Sequence, residues 1–267
     1  MLKFWKQYYS FSKCSIKMRL SYPTGFLFNW LANLIKLLLS IFLWKALFQK
    51  QTIIQNYDQN QIVIYLLILT FLNTTLSLST ELNLSEKILN GSIANDLTKP
   101  VDIQYMSFFQ ALGESIIEGG MSLITITLLA TLLTDITKYL KPMQLILFIF
   151  SVILAFFLKF CLVYLGGLLC FFTSNGFGVI YIRQIITDIF SGALLPLSFY
   201  PMWFQRISYF LPFQASVYFP TQIFLQRITG INLLTTLLIQ LFWVIILWVF
   251  TNFCFQLAIQ KITIHGG

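Results

Sequence analysis

Residues 143–172 read MQLILFIFSVILAFFLKFCLVYLGGLLCFF, thirty positions interrupted by one charge, Lys159. A helix needs about 20 apolar residues, at 1.5 Å each, to cross the ~30 Å hydrocarbon core of a bilayer. This stretch exceeds that length, so it is expected to tilt or to extend past the lipid. The rest of the chain has the same character. Of its 267 residues 58% are hydrophobic and only 10% charged, and the mean hydropathy is +0.80. A soluble domain carries roughly 25% charged residues, and a globule of this size still exposes much surface. Lipid must therefore replace water as the solvent for that surface.

Working outward, similar runs fall at 26–48, 62–78, 107–133, 177–198 and 233–259. With 143–172 they make an all-α membrane protein of six transmembrane helices, read as a single domain over residues 1–267. Ahead of them, residues 1–22 interleave Phe4, Trp5, Tyr8, Tyr9 and Phe11 with Lys and Gln, which suits a helix lying in the cytoplasmic interface. Lys3, Lys6, Lys13, Lys17 and Arg19 supply five of the seventeen basic residues, and no acid precedes Asp58. This flank places the N-terminus in the cytoplasm. An even number of spans returns the C-terminus, with Lys261 and His265, to the same side. The net charge of +8 lacks the soluble basic face that nucleic acid requires; lipid is the expected contact.

Several charges fall inside the apolar runs. Lys36 and Lys159 are expensive at membrane depth and are expected to face protein or water. Lys45 can reach the interface. Arg183 and Asp188, five positions apart, do not share a helix face, so each should bond to neighbouring helices. Glu114 and Glu118 stand at i and i+4. Such a pair suits acid/base work, or stabilisation near a helix N-terminus. Gly113, Gly119 and Gly120, and further on Gly166 and Gly167, permit close helix approach.

Two stretches break the pattern. Residues 81–104 carry Glu81, Glu86, Lys87, Asp96, Lys99 and Asp102 among Leu82, Leu84, Ile88, Leu89, Ile93 and Leu97 at near-helical spacing. Gly91 interrupts and Pro100 stops the run, giving one short amphipathic helix or a pair on the cytoplasmic side. Residues 191–220 hold SGALLP, YPMWF, LPF and YFP, with four prolines within twenty-five apolar positions. No straight helix accepts that, yet the stretch is too apolar for a free loop. Short re-entrant or interfacial helices on the outer side satisfy both facts.

No GxxxxGK[ST] is present, so the chain has no P-loop with which to hold ATP. The sole histidine, His265, stands near the end, which removes the usual base of metal-assisted and Ser-His hydrolysis. Cys14, Cys161, Cys170 and Cys254 form no CxxC and are expected as free thiols. No catalytic residue, metal site or cofactor is assigned to this chain.

Two segments resemble the permease subunits of ABC-2 exporters: KILNGSIANDLTKP at 87–100, and SGALLP at 191–196 followed by YPMW at 200–203 and LPF at 211–213. The resemblance covers nearly the whole chain. It implies a pore built with a second copy or a related permease, and ATP bound by separate ABC ATP-binding subunits docked inside. It implies that Ile88, Gly91, Ile93, Asp96, Leu97, Lys99 and Pro100 form a coupling helix between spans 2 and 3. Ser191, Gly192, Pro196, Pro201, Trp203, Pro212 and Phe213 would form an outer gate of re-entrant helices between spans 5 and 6. The expected location is the bacterial cytoplasmic membrane, with export as the direction. Two other readings draw on the residues alone: an ion-coupled transporter or channel using the buried charges, and an intramembrane lipid-modifying enzyme using Glu114 and Glu118.

Overall fold

The computed structural model describes residues 2–75, 79–173 and 176–260. The inner end of the expected second span (76–78), Ser174 and Asn175 in the expected turn at 173–178, and Lys261 and His265 lie outside them. Helix α1 (Leu2–Ser21) is followed by α2 (Pro23–Phe48), whose first turn begins on Pro23, where the missing N–H is harmless. A two-residue turn at Gln55 and Asn56, both with positive φ, closes a hairpin of β1 (Ile53–Ile54) on β2 (Tyr57–Asp58). Asp58 then caps α3 (Gln59–Thr74): its carboxylate accepts from Gln61 N at 2.6 Å, and the Gln61 side chain accepts from Asp58 N.

The mixed-charge stretch is a pair of helices, α4 (Ser79–Leu89) and α5 (Ile93–Leu97). Asp102 caps α6 (Ile103–Leu133). Helix α7 (Pro142–Leu168) continues as a 3₁₀ turn to Phe171, and α8 (Gly176–Phe190) follows. Beyond the break at 191–196 come α9 (Met202–Tyr209) and α10 (Tyr218–Phe224), then α11 (Ile231–Ile259).

Among the described residues, four helices are long and apolar enough to cross a membrane: Pro23–Phe48, Ile103–Leu133, Pro142–Phe171 and Ile231–Ile259. The second and fifth expected spans are shorter helices. α3 stops at Thr74, where Asn73, Thr74 and Thr75 replace the apolar run, and α8 stops at Phe190 before Ser191 and Gly192. The fifth run therefore ends eight residues earlier than its apolar composition implies.

Helix α7 is the most buried of the four and sits at the centre. It packs against α11, α10, α4 and α8. A ring cluster locks this core: Phe108 stacks on Phe157 with centroids 4.7 Å apart, and Trp248 closes on Phe108 and Phe160. Helix α1 lies along the first half of α6. Tyr8, Ser12, Ser15 and Arg19 share its inward face, while Lys6, Lys13 and Lys17 are exposed on the other. Ser12 Oγ donates to the Phe109 carbonyl at 2.6 Å, and a Cβ at Gly113 would overlap the Ser12 carbonyl.

The hairpin and the proline-rich segment meet at one end of the bundle. Trp44 and Tyr57 pack on Phe199, Gln222 donates to Tyr57 Oη at 2.7 Å, and Arg227 lies 3.7 Å from the Tyr57 ring centroid. Helices α1, α4 and α5 gather at the other end, where Asp102 N donates to Tyr8 Oη.

Candidate functional site

A cavity of about 430 Å³ lies among α2, α3, α6, α7 and α8. Its wall collects Lys36, Lys159, Arg183 and Asp188, the four charges that no motif explained, and adds Arg19 and Glu118. Each is held differently.

Lys159 reaches from α7 to the end of α3. Its Nζ donates to the Leu72 carbonyl at 2.9 Å, the Asn73 carbonyl at 3.4 Å and Asn73 Oδ1 at 3.1 Å. The last carbonyls of a helix have no partner within it, and a cation there also suits the helix dipole. Lys159 thus caps a helix that ends inside the bundle.

Arg183 is held by Glu81 of α4. Nε donates to Oε1 at 2.7 Å and Nη2 to Oε2 at 2.6 Å, a bidentate pair in which the Glu81 side chain is 0% exposed. Gly166 of α7 makes room for it: a Cβ there would overlap Glu81 Oε1 and crowd Arg183 Cδ. Arg19 of α1 bridges both acids of α6, with Nη2 at 3.3 Å from Glu114 and 3.1 Å from Glu118. Neither carboxylate stands alone as a base. Lys36 projects into the cavity and, among the described residues, makes no side-chain hydrogen bond or ion pair. Asp188 faces Lys159 and Lys36 through space.

The expected coupling residues divide into two sets. Ile93 is 1% exposed and Asp96 is buried, while Ile88 is half-buried. Gly91, Leu97, Lys99 and Pro100 are exposed. Gly91 has φ +76°, the left-handed turn that separates α4 from α5. Asp96 latches this elbow, accepting from Lys87 Nζ at 2.7 Å and Lys99 Nζ at 2.6 Å. Burial pushes the Asp96 carboxyl up, but the hydrogen bonds and charges of the two lysines outweigh it and hold it below the usual carboxylate range.

The expected gate residues do not form one cluster. Ser191 and Gly192 are buried, and the Gly192 carbonyl accepts from Tyr65 Oη at 2.7 Å. Pro196 and Pro212 are buried, Phe213 packs beside Phe190, and Pro201 and Trp203 are exposed. Only Ser191 of this set lines the cavity.

The family model described as ABC-2 family transporter protein matches residues 34–266. The chain belongs to the ABC-2 transporter family. It is thus a membrane component of transport, and the matched part holds every wall of the cavity except Arg19 and the first turns of α2. Helix α1, which supplies Arg19, precedes the matched residues. Among curated proteins, none matches the chain. Sequence reasoning missed Arg19, Glu81 and Asn73 as site residues. Arg19 had a signal, since it falls on one helical face with Tyr8, Ser12 and Ser15, opposite the lysines.

Proposed function

We propose that this chain forms the translocation path of an ATP-driven ABC exporter, with ATP bound by separate ATP-binding subunits and the pore completed by a second copy or a related permease. In this reading α3 and α8 join the four long helices to give six crossings. The end holding α1, α4 and α5 faces the cytoplasm of a bacterial inner membrane, with both termini there. The 191–220 segment lies outside as re-entrant helices, and the cavity is where substrate enters.

The observation that carries the reading is the elbow. Leu97 is 37% exposed at the end of α5, whose Ile93 is buried and whose Asp96 is buried and held by Lys87 and Lys99. An exposed apolar side chain on a latched helix is what a groove on a partner can grip, and a rigid element transmits motion. Two of the charges an ion-coupled transporter would use, Lys159 and Arg183, are already committed to a helix end and to Glu81. A lipid-modifying enzyme would need Glu114 or Glu118 as base, and both are held by Arg19.

The test is Leu97→Asp in the full complex. The variant should insert at the normal level and lose co-purification with the ATP-binding subunit. Normal co-purification, or absence of any ATPase partner for the wild-type chain, would overturn the proposal.

A further inference from the structure

The inner half of α2, residues 23–36, is held more lightly than its outer half. The outer half sets Leu37, Ile41, Trp44 and Phe48 into the core, whereas Phe26 is the one buried residue between Pro23 and Lys36. Among the described residues, a single side-chain hydrogen bond ties this half to another helix: Trp30 Nε1 donates to Thr125 Oγ1 at 3.1 Å. Its inner end is also uncoupled from α1. Tyr22 N donates to the Met18 carbonyl at 3.1 Å, but Pro23 has no N–H to offer the Arg19 carbonyl, and Thr24 and Gly25 are exposed. Helix α1 meanwhile stays fastened to α6 through Ser12 and Arg19.

All six α2 residues in the cavity wall, from Phe26 to Lys36, belong to this half. The α8 part of the wall carries Gln184 and Asp188. Helix α2 packs on α3, and α8 on α4 and α7, with no extensive contact between α2 and α8. With Glu81 and Glu114 counted, the charges around the cavity balance, yet two are not joined. Arg183 is paired with Glu81, Arg19 with Glu114 and Glu118, and Lys159 caps α3. Among the described residues, Lys36 makes no ion pair or side-chain hydrogen bond and Asp188 makes no ion pair, although Lys36 acts on Asp188 through space. Opposite charges held apart at membrane depth gain by meeting.

We infer that residues 23–36 form a flap over the cavity. The flap pivots on the packed outer half of α2, the joint at 22–25 frees its inner end, and it closes toward α8 so that Lys36 meets Asp188. The structure shows it open. This rests on the reading of the cavity as the substrate's entry, but not on ATP coupling, so its test uses the permease alone.

The full chain, with Cys14 and Cys254 replaced by Ser, carries spin labels at Phe28→Cys on the flap and Ile182→Cys on α8, both exposed positions. It is placed in lipid nanodiscs and diluted with excess unlabelled chain, so that double electron–electron resonance reads distances within one chain. The Phe28–Ile182 distance should have two populations, open and closed. The distance from Phe42→Cys, exposed on the outer half of α2, to Ile182→Cys should have one. Lys36→Gln and Asp188→Asn should each lower the closed-to-open ratio about fivefold, the effect of one partly exposed ion pair. The double variant should go no further than either single, because both remove the same contact. Lys36→Arg should keep the closed population. A single Phe28–Ile182 distance, equal spread in the Phe42 pair, or additive effects of the two neutralising changes would overturn the inference. Both populations in a chain that never associates with an ATPase would leave the flap standing while the coupling proposal fell.

Discussion

Removing Arg183 should be among the most damaging single changes available in this chain. Its partner Glu81 is fully buried and takes two charge-assisted bonds of 2.7 and 2.6 Å from one guanidinium. Deleting one member of a buried pair leaves the other charged and undissolved, which costs about 3–5 kcal/mol. Arg183→Met keeps the apolar length of the side chain and removes only the head, so the loss should fall in that range. Glu81→Met should cost less, because Arg183 also borders the polar cavity. The double replacement removes the stranded charge and should recover about 2–3 kcal/mol relative to the sum of the singles. Reversible unfolding of the full chain in mixed detergent–SDS micelles measures all three differences. A loss below about 1 kcal/mol in Arg183→Met, or strict additivity of the two singles, would show that the pair does not hold α4 to α8.

Three further outcomes follow from the same geometry. Gly166→Ala should lower stability by about 1–3 kcal/mol, the usual cost of overpacking, while Gly120→Ala, with nothing within 4 Å of its added Cβ, should not; the same unfolding assay compares them. Lys159→Met strips the cap from α3 and should speed amide exchange in its last turn, read by hydrogen–deuterium exchange. The lowered carboxyl of Asp96 fixes the sign of a pH effect. Its contribution is complete above the unfolded value of about 3.9 and is lost as pH falls through the lowered folded value. Exchange at 86–100, corrected for intrinsic rate, should stay slow from pH 7 to 5 and rise only below about pH 4. Asp96→Asn should remove that step.

The long helices were legible because a 20-residue apolar run has one stable use in lipid. Their ends were less so. The period of residues 177–198 continues past Phe190, but Ser191 and Gly192 let the chain turn, and the Tyr65 bond to the Gly192 carbonyl holds that turn from another helix. Gly91 and Pro100, residues whose backbone preferences act locally, mark the interruption and the stop at 81–104 but leave one helix or a pair open; the structure has a pair. Arg183 and Asp188 were expected to seek different partners, and Arg183 does. That its partner is Glu81, 102 positions earlier, is a fact of packing that no local spacing encodes. Glu114 and Glu118 admit a helix-dipole or a catalytic account on sequence grounds. The decisive neighbour, Arg19, stands 95 positions away, and in the sequence it belongs to the basic flank that sets topology.

The two buried acid clusters share an element. Helix α4 carries Lys87 near one end, bonded to Asp96 of the elbow, and Glu81 near the other, bonded to Arg183 of α8. Eleven residues at 1.5 Å make α4 a rod of about 16 Å. Its packing against α7 is close, since Leu84 fills the space left by Gly167 as Glu81 fills that left by Gly166. A push on the exposed Leu97 therefore meets no soft joint before α8: the Asp96 latch would have to open, or the buried Glu81 pair would have to break. Moving α8 instead keeps both intact and shifts Asp188 and Ser191, which line the cavity, together with the turn at Gly192. Helix α4 thus joins the elbow to α7 through Leu84 and Gly167 and to α8 through the Glu81 pair, and both of those helices line the cavity.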